Sequence, residues 1–290
     1  MRASAFVPGH ITGFFKPVKH REYLRYGSIG CGVVISKGVY TNVRVREAEK
    51  NALHIFIDGE EKTCPVTEAV ARDVLKLADG RYKAEIFHEV DIPISQGFGS
   101  SAAGALGTAL CLSKALQLPL TLNHCGGIAH RAEVRNKTGL GDVIAEYYGG
   151  LVVRLAPGAP GIGVIDKIPC EDYVVAWVVG EPLDTKTILL NKKKSKRISS
   201  MAEKSMESLF RYPNPENFLQ ASRRFALDSQ LMSKEVYSAV KILEEKNIPA
   251  SMVMLGNSVF TLTRDPERVE HALDCPSIVA EIDSLGARTV

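Results

Sequence analysis

Pro93-Ile94-Ser95-Gln96-Gly97-Phe98-Gly99-Ser100-Ser101-Ala102-Ala103 decides how the rest of this 290-residue chain is read. The proline closes a predicted strand, Tyr82 to Ile92. A glycine-broken loop follows, then a helix predicted from Ser100 to Leu116, rich in Ala, Gly and Leu and therefore expected to be buried. Glycines let backbone N–H groups approach an anion closely, and a helix N-terminus adds unpaired donors and a positive dipole end. The hydroxyls of Ser100 and Ser101 at that mouth can meet phosphate oxygen or a metal ion. A tight connection with no ligand would show the same glycines, so the stretch by itself leaves the ligand open.

Three phosphate or nucleophile patterns compete for it. The chain has no Gly-Lys-Ser/Thr, which excludes a P-loop. Gly97-Phe98-Gly99-Ser100-Ser101-Ala102 fits the dinucleotide fingerprint, but that pattern wants an acid about twenty residues on. No Asp or Glu occurs between Asp91 and Glu133. Gly99-Ser100-Ser101-Ala102-Ala103 brushes against a hydrolase nucleophile elbow, which needs a later acid and His. His271 is the only histidine after His130, and it sits in a polar run.

Composition narrows the class. A hydrophobic fraction of 45% supports a full core, and the net charge of +3 gives no reason to expect nucleic acid. The six cysteines have no C-x-x-C spacing and read as thiols of a reducing compartment, not as a zinc site or disulfide frame. No signal-peptide or membrane-length apolar run is present, so a soluble, cytoplasmic protein without membrane partners is expected.

Working outward, Ala3 to Val7 reads as a strand running into a turn, Pro8-Gly9-His10-Ile11-Thr12-Gly13-Phe14-Phe15. Leu24 to Tyr26, Gly32 to Ser36, Val39 to Glu47 and Leu53 to Asp58 read as separate β runs, and Val66 to Ala78 as a helix. Thr121 to Asn136 is a second helix after the loop, with Thr121 or Asn123 as its cap. Gly139-Leu140-Gly141-Asp142 is a glycine turn ending in an acid, and Leu151 to Leu155 a strand. Pro157 to Gly163 is the expected seam between domains 1–160 and 161–290. Beyond it come a strand (Tyr173 to Val179), helices over Thr185 to Asn191, Ser195 to Phe210, Pro215 to Gln230 and Ser233 to Lys246, strands at Ala250 to Leu255 and Val259 to Thr263, a helix over Pro266 to Leu273 and a last strand, Ser277 to Ile282. The basic run Lys192 to Arg197 reads as a solvated helix start. Strands first and mixed elements later point to an α+β fold.

A phosphotransferase also needs a metal ligand and a group that orients the attacking hydroxyl. Glu133, with His130 three residues away on one helix face, and Asp142, on its glycine turn, are the acids that follow the loop. Read alone, Glu133 is equally a surface helix acid and Asp142 a helix N-cap.

Four stretches together resemble the GHMP kinases, the superfamily of galactokinase, homoserine kinase and mevalonate kinase. Pro93 to Ala103 resembles the central phosphate motif, and Gly139 to Asp142 with Gly149-Gly150 the family's Ser-Gly-x-Asp and Gly-Gly block. Met254-Leu255-Gly256-Asn257-Ser258-Val259-Phe260 resembles its C-terminal glycine motif, and Pro8-Gly9-His10 stands where the N-terminal motif belongs. Pro8 to Phe15 is most similar to the archaeal branch that phosphorylates the 4-hydroxyl of pantoate on the route to coenzyme A.

The resemblance implies an N-terminal domain like the second domain of ribosomal protein S5, a ferredoxin-like C-terminal domain, and a homodimer. It implies ATP on Pro93, Gly97, Phe98, Gly99, Ser100, Ser101 and Ala102, with Mg²⁺ held by Ser101 and Glu133. Asp142, Glu133 and Ser101 carry the catalytic roles it implies, Asp142 as base or as orienter of the hydroxyl. The acceptor's carboxylate and hydroxyls fall to His10, Ser28, His130, Arg154, Thr185, Thr187 and Gly256. Mevalonate kinase carries a lysine where this chain has His10, so its lysine–aspartate pair does not carry over. Another GHMP acceptor (homoserine, shikimate or an isoprenoid alcohol) and a non-catalytic sensor stand as alternatives.

Overall fold

The computed structural model describes residues 1–182 and 192–290, with backbone alone from 192 to 195. Twelve strands and seven helices are formed by the described residues. The framework is a long hairpin, β1 (Arg2–Val18) with β2 (Gly27–Glu47). The turn expected at Pro8 to Phe15 is instead strand, because β2 supplies ladder partners along its length: His10 faces Val34, Thr12 faces Gly32 and Phe15 faces Gly30. Two register shifts, at Pro8/Gly9 and Thr12/Phe14, absorb the proline and glycines as bulges. For the same reason the β runs expected at Gly32 to Ser36 and Val39 to Glu47 are one strand, while Leu24 to Tyr26 is a turn.

The first sheet runs β12–β1–β2–β5–β3–β4 and forks at β2. The half of β2 from Val39 pairs with β5 (Tyr82–Val90), and the half from Gly30 to Val33 pairs with β6 (Leu151–Ala156). Everything between these strands sits in the fork: the Pro93 loop, α2 (Ser100–Ala115), α3 (Leu122–Asn136) and α4 (Asp142–Tyr148). β3 (Ala52–Ile57) lies parallel to β5 and is joined to it through α1 (Pro65–Leu75), with β4 (Glu60–Glu61) on its edge. β7 (Val164–Ile168) pairs with β6 and β12 (Arg288–Thr289) with β1, so two strands beyond residue 160 belong to this sheet.

Helix α2 is buried almost throughout, as its composition predicts. Its glycines permit the contact: a Cβ on Gly107 would lie 2.4 Å from Thr41 Oγ1 of β2. Thr121 is the N-cap of α3, and its hydroxyl accepts from the His124 N–H.

The second sheet, β11–β8–β10–β9, is antiparallel and comprises β8 (Tyr173–Val178), β9 (Ser251–Met252), β10 (Ser258–Thr263) and β11 (Ser277–Glu281). Helices α5 (Lys192–Arg211), α6 (Pro215–Ser229) and α7 (Lys234–Glu245) accompany it. Phe14 of β1 packs on Phe218 and Phe225 of α6, and Phe218 packs on Phe260 of β10, so aromatic rings join the two sheets. Gly13 lets α6 come this close, since a Cβ there would meet Ser222 Oγ at 2.2 Å. The helix expected at Pro266 to Leu273 is a run of turns, and the strand at Ala250 to Leu255 shortens to two residues. The helix expected over residues 185–191 lies outside the described residues.

Candidate active site

The Pro93 loop leaves β5 and turns through three left-handed residues: Ser95 (φ 60°), Gly97 (φ 85°) and Gly99 (φ 77°). Gly97 and Gly99 are needed for space as well as for φ. A Cβ on Gly97 would lie 2.7 Å from the Met254 carbonyl, and one on Gly99 only 2.1 Å from Glu146 Oε1. Gly99 is the N-cap of α2 and provides no side-chain cap, and no acid stands in the first helical turn. The N–H groups at this mouth therefore keep their capacity to bind an anion. The His10 N–H donates to the Phe98 carbonyl (3.0 Å) and stitches the loop to β1.

Gln96 fastens the other side. Its amide donates to the Gly180 carbonyl (2.9 Å) and accepts from the Asn257 N–H (3.0 Å) and the Ser258 hydroxyl (3.4 Å). Gly256 backs the same point, where a Cβ would meet the Gln96 carbonyl at 1.9 Å. Pro93 lies three residues beyond the end of β5 and does not line the cavity.

A cavity of about 470 Å³ opens in front of the loop, lined among others by Gly97, Phe98, Gly99, Ser100, Ser101, Ala102, Glu133, Asp142, Ser28 and Arg154. The Ser101 hydroxyl donates to Glu133 Oε1 (2.6 Å), and the Thr138 hydroxyl donates to the same oxygen (2.9 Å). Burial pushes the Glu133 carboxyl up to about 7, against the pull of these hydroxyls. Gly139 separates the free oxygens of the two acids: its Cβ would lie 2.3 Å from Glu133 Oε2 and 3.0 Å from Asp142 Oδ2.

Asp142 Oδ1 is 2.8 Å from His10 Nδ1, and His10 Nε2 is 3.3 Å from Arg154 Nη1. The guanidinium is a donor only, so Nε2 carries the lone pair and Nδ1–H donates to Asp142. Burial lowers the His10 pKa despite Asp142, which keeps the ring neutral. Burial alone would raise Asp142, but His10 and Arg154 outweigh it and hold the carboxyl below its ordinary value. Arg154 is 1% exposed and has no ion pair among the described residues, and its Nε has no hydrogen-bond partner. A buried unpaired guanidinium at a cavity wall is a place for an anion.

Ser28 also lines this end, and its Oγ would be 2.6 Å from a Cβ on Gly141. His130 stands apart. Its Nε2 lies 2.8 Å from the Tyr26 carbonyl, and its side chain does not line the cavity. Thr185 and Thr187 lie outside the described residues.

Sequence reasoning missed Gln96, Thr138 and Glu146. Glu146 is one helical turn beyond Asp142 and fully buried, and neither carboxyl oxygen has a hydrogen-bond partner. Its i, i+4 spacing from Asp142 was visible in the sequence, but its burial beneath Gly99 was not.

A Gly-mouthed buried helix stands here with an acid at each side of its first turns. The family model "GHMP kinases N terminal domain" matches residues 66–150. The pantoate kinase of Thermococcus kodakarensis is 40% identical over 274 residues, which cover 92% of this chain and 89% of that protein. A solved "phosphotransferase related to CoA biosynthesis pathway" superposes with a TM-score of 0.90 at 34% identity, covering 100% of this chain and 99% of the other. At 14% identity the fold alone is shared with MDDEF, solved with MVAPP, AMPPCP and magnesium (TM-score 0.75, 100% and 99% covered). The chain belongs to the GHMP kinases, and within them to the family of the pantoate kinases.

Proposed function

We propose that this chain is an ATP-dependent kinase that phosphorylates the 4-hydroxyl of pantoate to 4-phosphopantoate, a step toward coenzyme A. The observation that carries the reading is the pairing of Asp142 with Arg154 across the single imidazole of His10. A hydroxyl-facing acid and an unpaired buried cation, one ring apart in one cavity, match an acceptor with a hydroxyl at one end and a carboxylate at the other. The pantoate kinase relatives support the same acceptor.

The triphosphate lies on Gly97 to Ala102, where the N–H groups of the α2 mouth and the hydroxyls of Ser100 and Ser101 neutralise its charge. Ser101 and Glu133 fit a Mg²⁺ ion: a hydroxyl and a carboxylate meet at 2.6 Å beside the phosphate mouth. No set of three His, Cys, Asp or Glu side chains able to hold a metal occurs among the described residues, which suits an ion completed by phosphate oxygens and water. Bound there, Mg²⁺ supplies charge neutralisation on the transferring phosphoryl group.

Asp142 is ionised, and the His10 N–H pins its Oδ1, leaving Oδ2 for the acceptor. A carboxylate held below its ordinary pKa is a weak base for an alcohol. Asp142 therefore first orients the hydroxyl oxygen toward the γ-phosphorus. It takes the proton as the new P–O bond forms and the bond to ADP breaks. Arg154, with Ser28, holds the acceptor carboxylate.

The six cysteines are free thiols, and on them we place the protein in a reducing compartment, the cytoplasm. The described residues form no helix long and apolar enough to cross a membrane. The test is ADP release with pantoate, homoserine, shikimate and mevalonate as acceptors. Turnover with pantoate, abolished in Asp142→Asn, is expected. Turnover with another alcohol and none with pantoate refutes the assignment.

A further inference from the structure

Thr12, Phe15, Met254 and Leu255 line the same cavity as Ser28 and Arg154, and no polar role falls to these four. Strand register fixes the layout: Phe15 is the partner of Gly30, and Gly30 is the partner of Arg154. Phe15 and Arg154 thus stand two strands apart in one row, with a residue lacking a side chain between them. The Met254 N–H donates to the Thr12 carbonyl (3.1 Å), which sets the turn before β10 beside the same row. Phe15 is braced from behind by Phe225, with ring centroids 6.0 Å apart.

Leu255 is the unusual member. Its φ is 65°, a left-handed conformation that a leucine adopts at a cost. The next residue, Gly256, cannot give way, because it is pressed on the Gln96 carbonyl. Strained backbone of this kind clusters at ligand-binding sites, and Leu255 lines the cavity.

We infer that Phe15, Met254 and Leu255 form an apolar wall that selects the acceptor by the branching of its carbon skeleton. The inference rests on the pantoate reading. With the hydroxyl at Asp142 and the carboxylate at Arg154, the carbon between them carries two methyl groups, and these need an apolar surface. An unbranched hydroxy acid leaves that surface unfilled. A skeleton carrying an ammonium group sets a cation beside the buried Arg154 and against hydrocarbon. One methylene in an apolar pocket changes kcat/KM by about 10- to 200-fold.

The experiment compares kcat/KM for pantoate with that for 2,4-dihydroxybutanoate, the same acid without its two methyls, at saturating ATP. The protein as it stands is expected to prefer pantoate by at least about tenfold. Leu255→Gly and Met254→Ala are each expected to cut that preference by about tenfold, pantoate losing more than the unmethylated acid, with KM for ATP unchanged. Leu255→Gly also frees the left-handed backbone, so it is expected to fold at least as well as the parent. A preference that survives both substitutions, or equal losses on both acids, overturns the wall. Absence of turnover with pantoate in the unsubstituted protein overturns the parent reading and the wall with it.

Discussion

Glu146 makes a pH dependence that a single substitution can isolate. Its carboxyl is fully buried under Gly99, neither oxygen has a hydrogen-bond partner, and Asp142 and Glu133 add negative charge nearby. Burial first, and those two acids second, raise its pKa well above the ordinary carboxyl value of 4.5. The folded state therefore holds this proton to higher pH than the unfolded chain does. Stability from the group is present below the unfolded pKa and is lost as pH rises through the window up to the folded pKa, because the unfolded chain ionises first. One proton of difference gives a slope of about 1.4 kcal/mol per pH unit. Glu146→Gln keeps the shape and removes the titration. Unfolding free energies of both proteins, measured by denaturant titration from pH 4.5 to 8, are expected to diverge, the variant gaining up to about 1.4 kcal/mol on its parent per unit across the window. Other titrating groups, Glu133 and His10 among them, act in both proteins and cancel in the difference to first order. Parallel curves would refute the buried, unpartnered state of Glu146.

His88 predicts the opposite sign. Buried between Thr41 and Thr67, its imidazole is lowered by burial from 6.5 to about 4, so stability falls as pH drops from 6.5 toward 4. About 2.5 pH units at about 1.4 kcal/mol each make about 3.5 kcal/mol, which His88→Gln removes from the acid limb of a stability curve. Gly139→Ala places a Cβ 2.3 Å from Glu133 Oε2 and displaces both acids, and a loss of kcat on the order of a hundredfold is expected in steady-state assays. Gln96→Ala cuts the loop from the second sheet. It is expected to raise KM for ATP more than KM for pantoate and to cost about 2 kcal/mol in thermal unfolding, for two well-formed hydrogen bonds. Arg154→Met is expected to raise KM for pantoate by about a hundredfold, the worth of a charge-assisted pair, with KM for ATP unchanged in the coupled assay.

Some of the site was legible because it is local. Gly97, Gly99, Ser100 and Ser101 put glycines and hydroxyls at a helix mouth within five residues, and the acids after it are the next two in the chain. The α2 boundaries and its burial followed from small residues at close spacing. The hairpin was harder. Pro8, Gly9 and Gly13 read as a turn because their propensities oppose a strand, and only β2, pairing across two bulges, overrides them. β12, two residues long, exists only because β1 offers an edge.

The sequence by itself determined helix α2, the glycines and hydroxyls at its mouth and the acids that follow, since each depends on residues near one another in the chain. The tertiary structure decided how those groups are charged and paired. His10 and Asp142 are 132 residues apart, and Arg154 reaches His10 across 144. A histidine in water would titrate near neutrality, and a glutamate would be ionised there. Packing removes that water: His10 is kept neutral, Glu133 moves to about 7, and Arg154 is left buried in the cavity wall with no ion pair among the described residues.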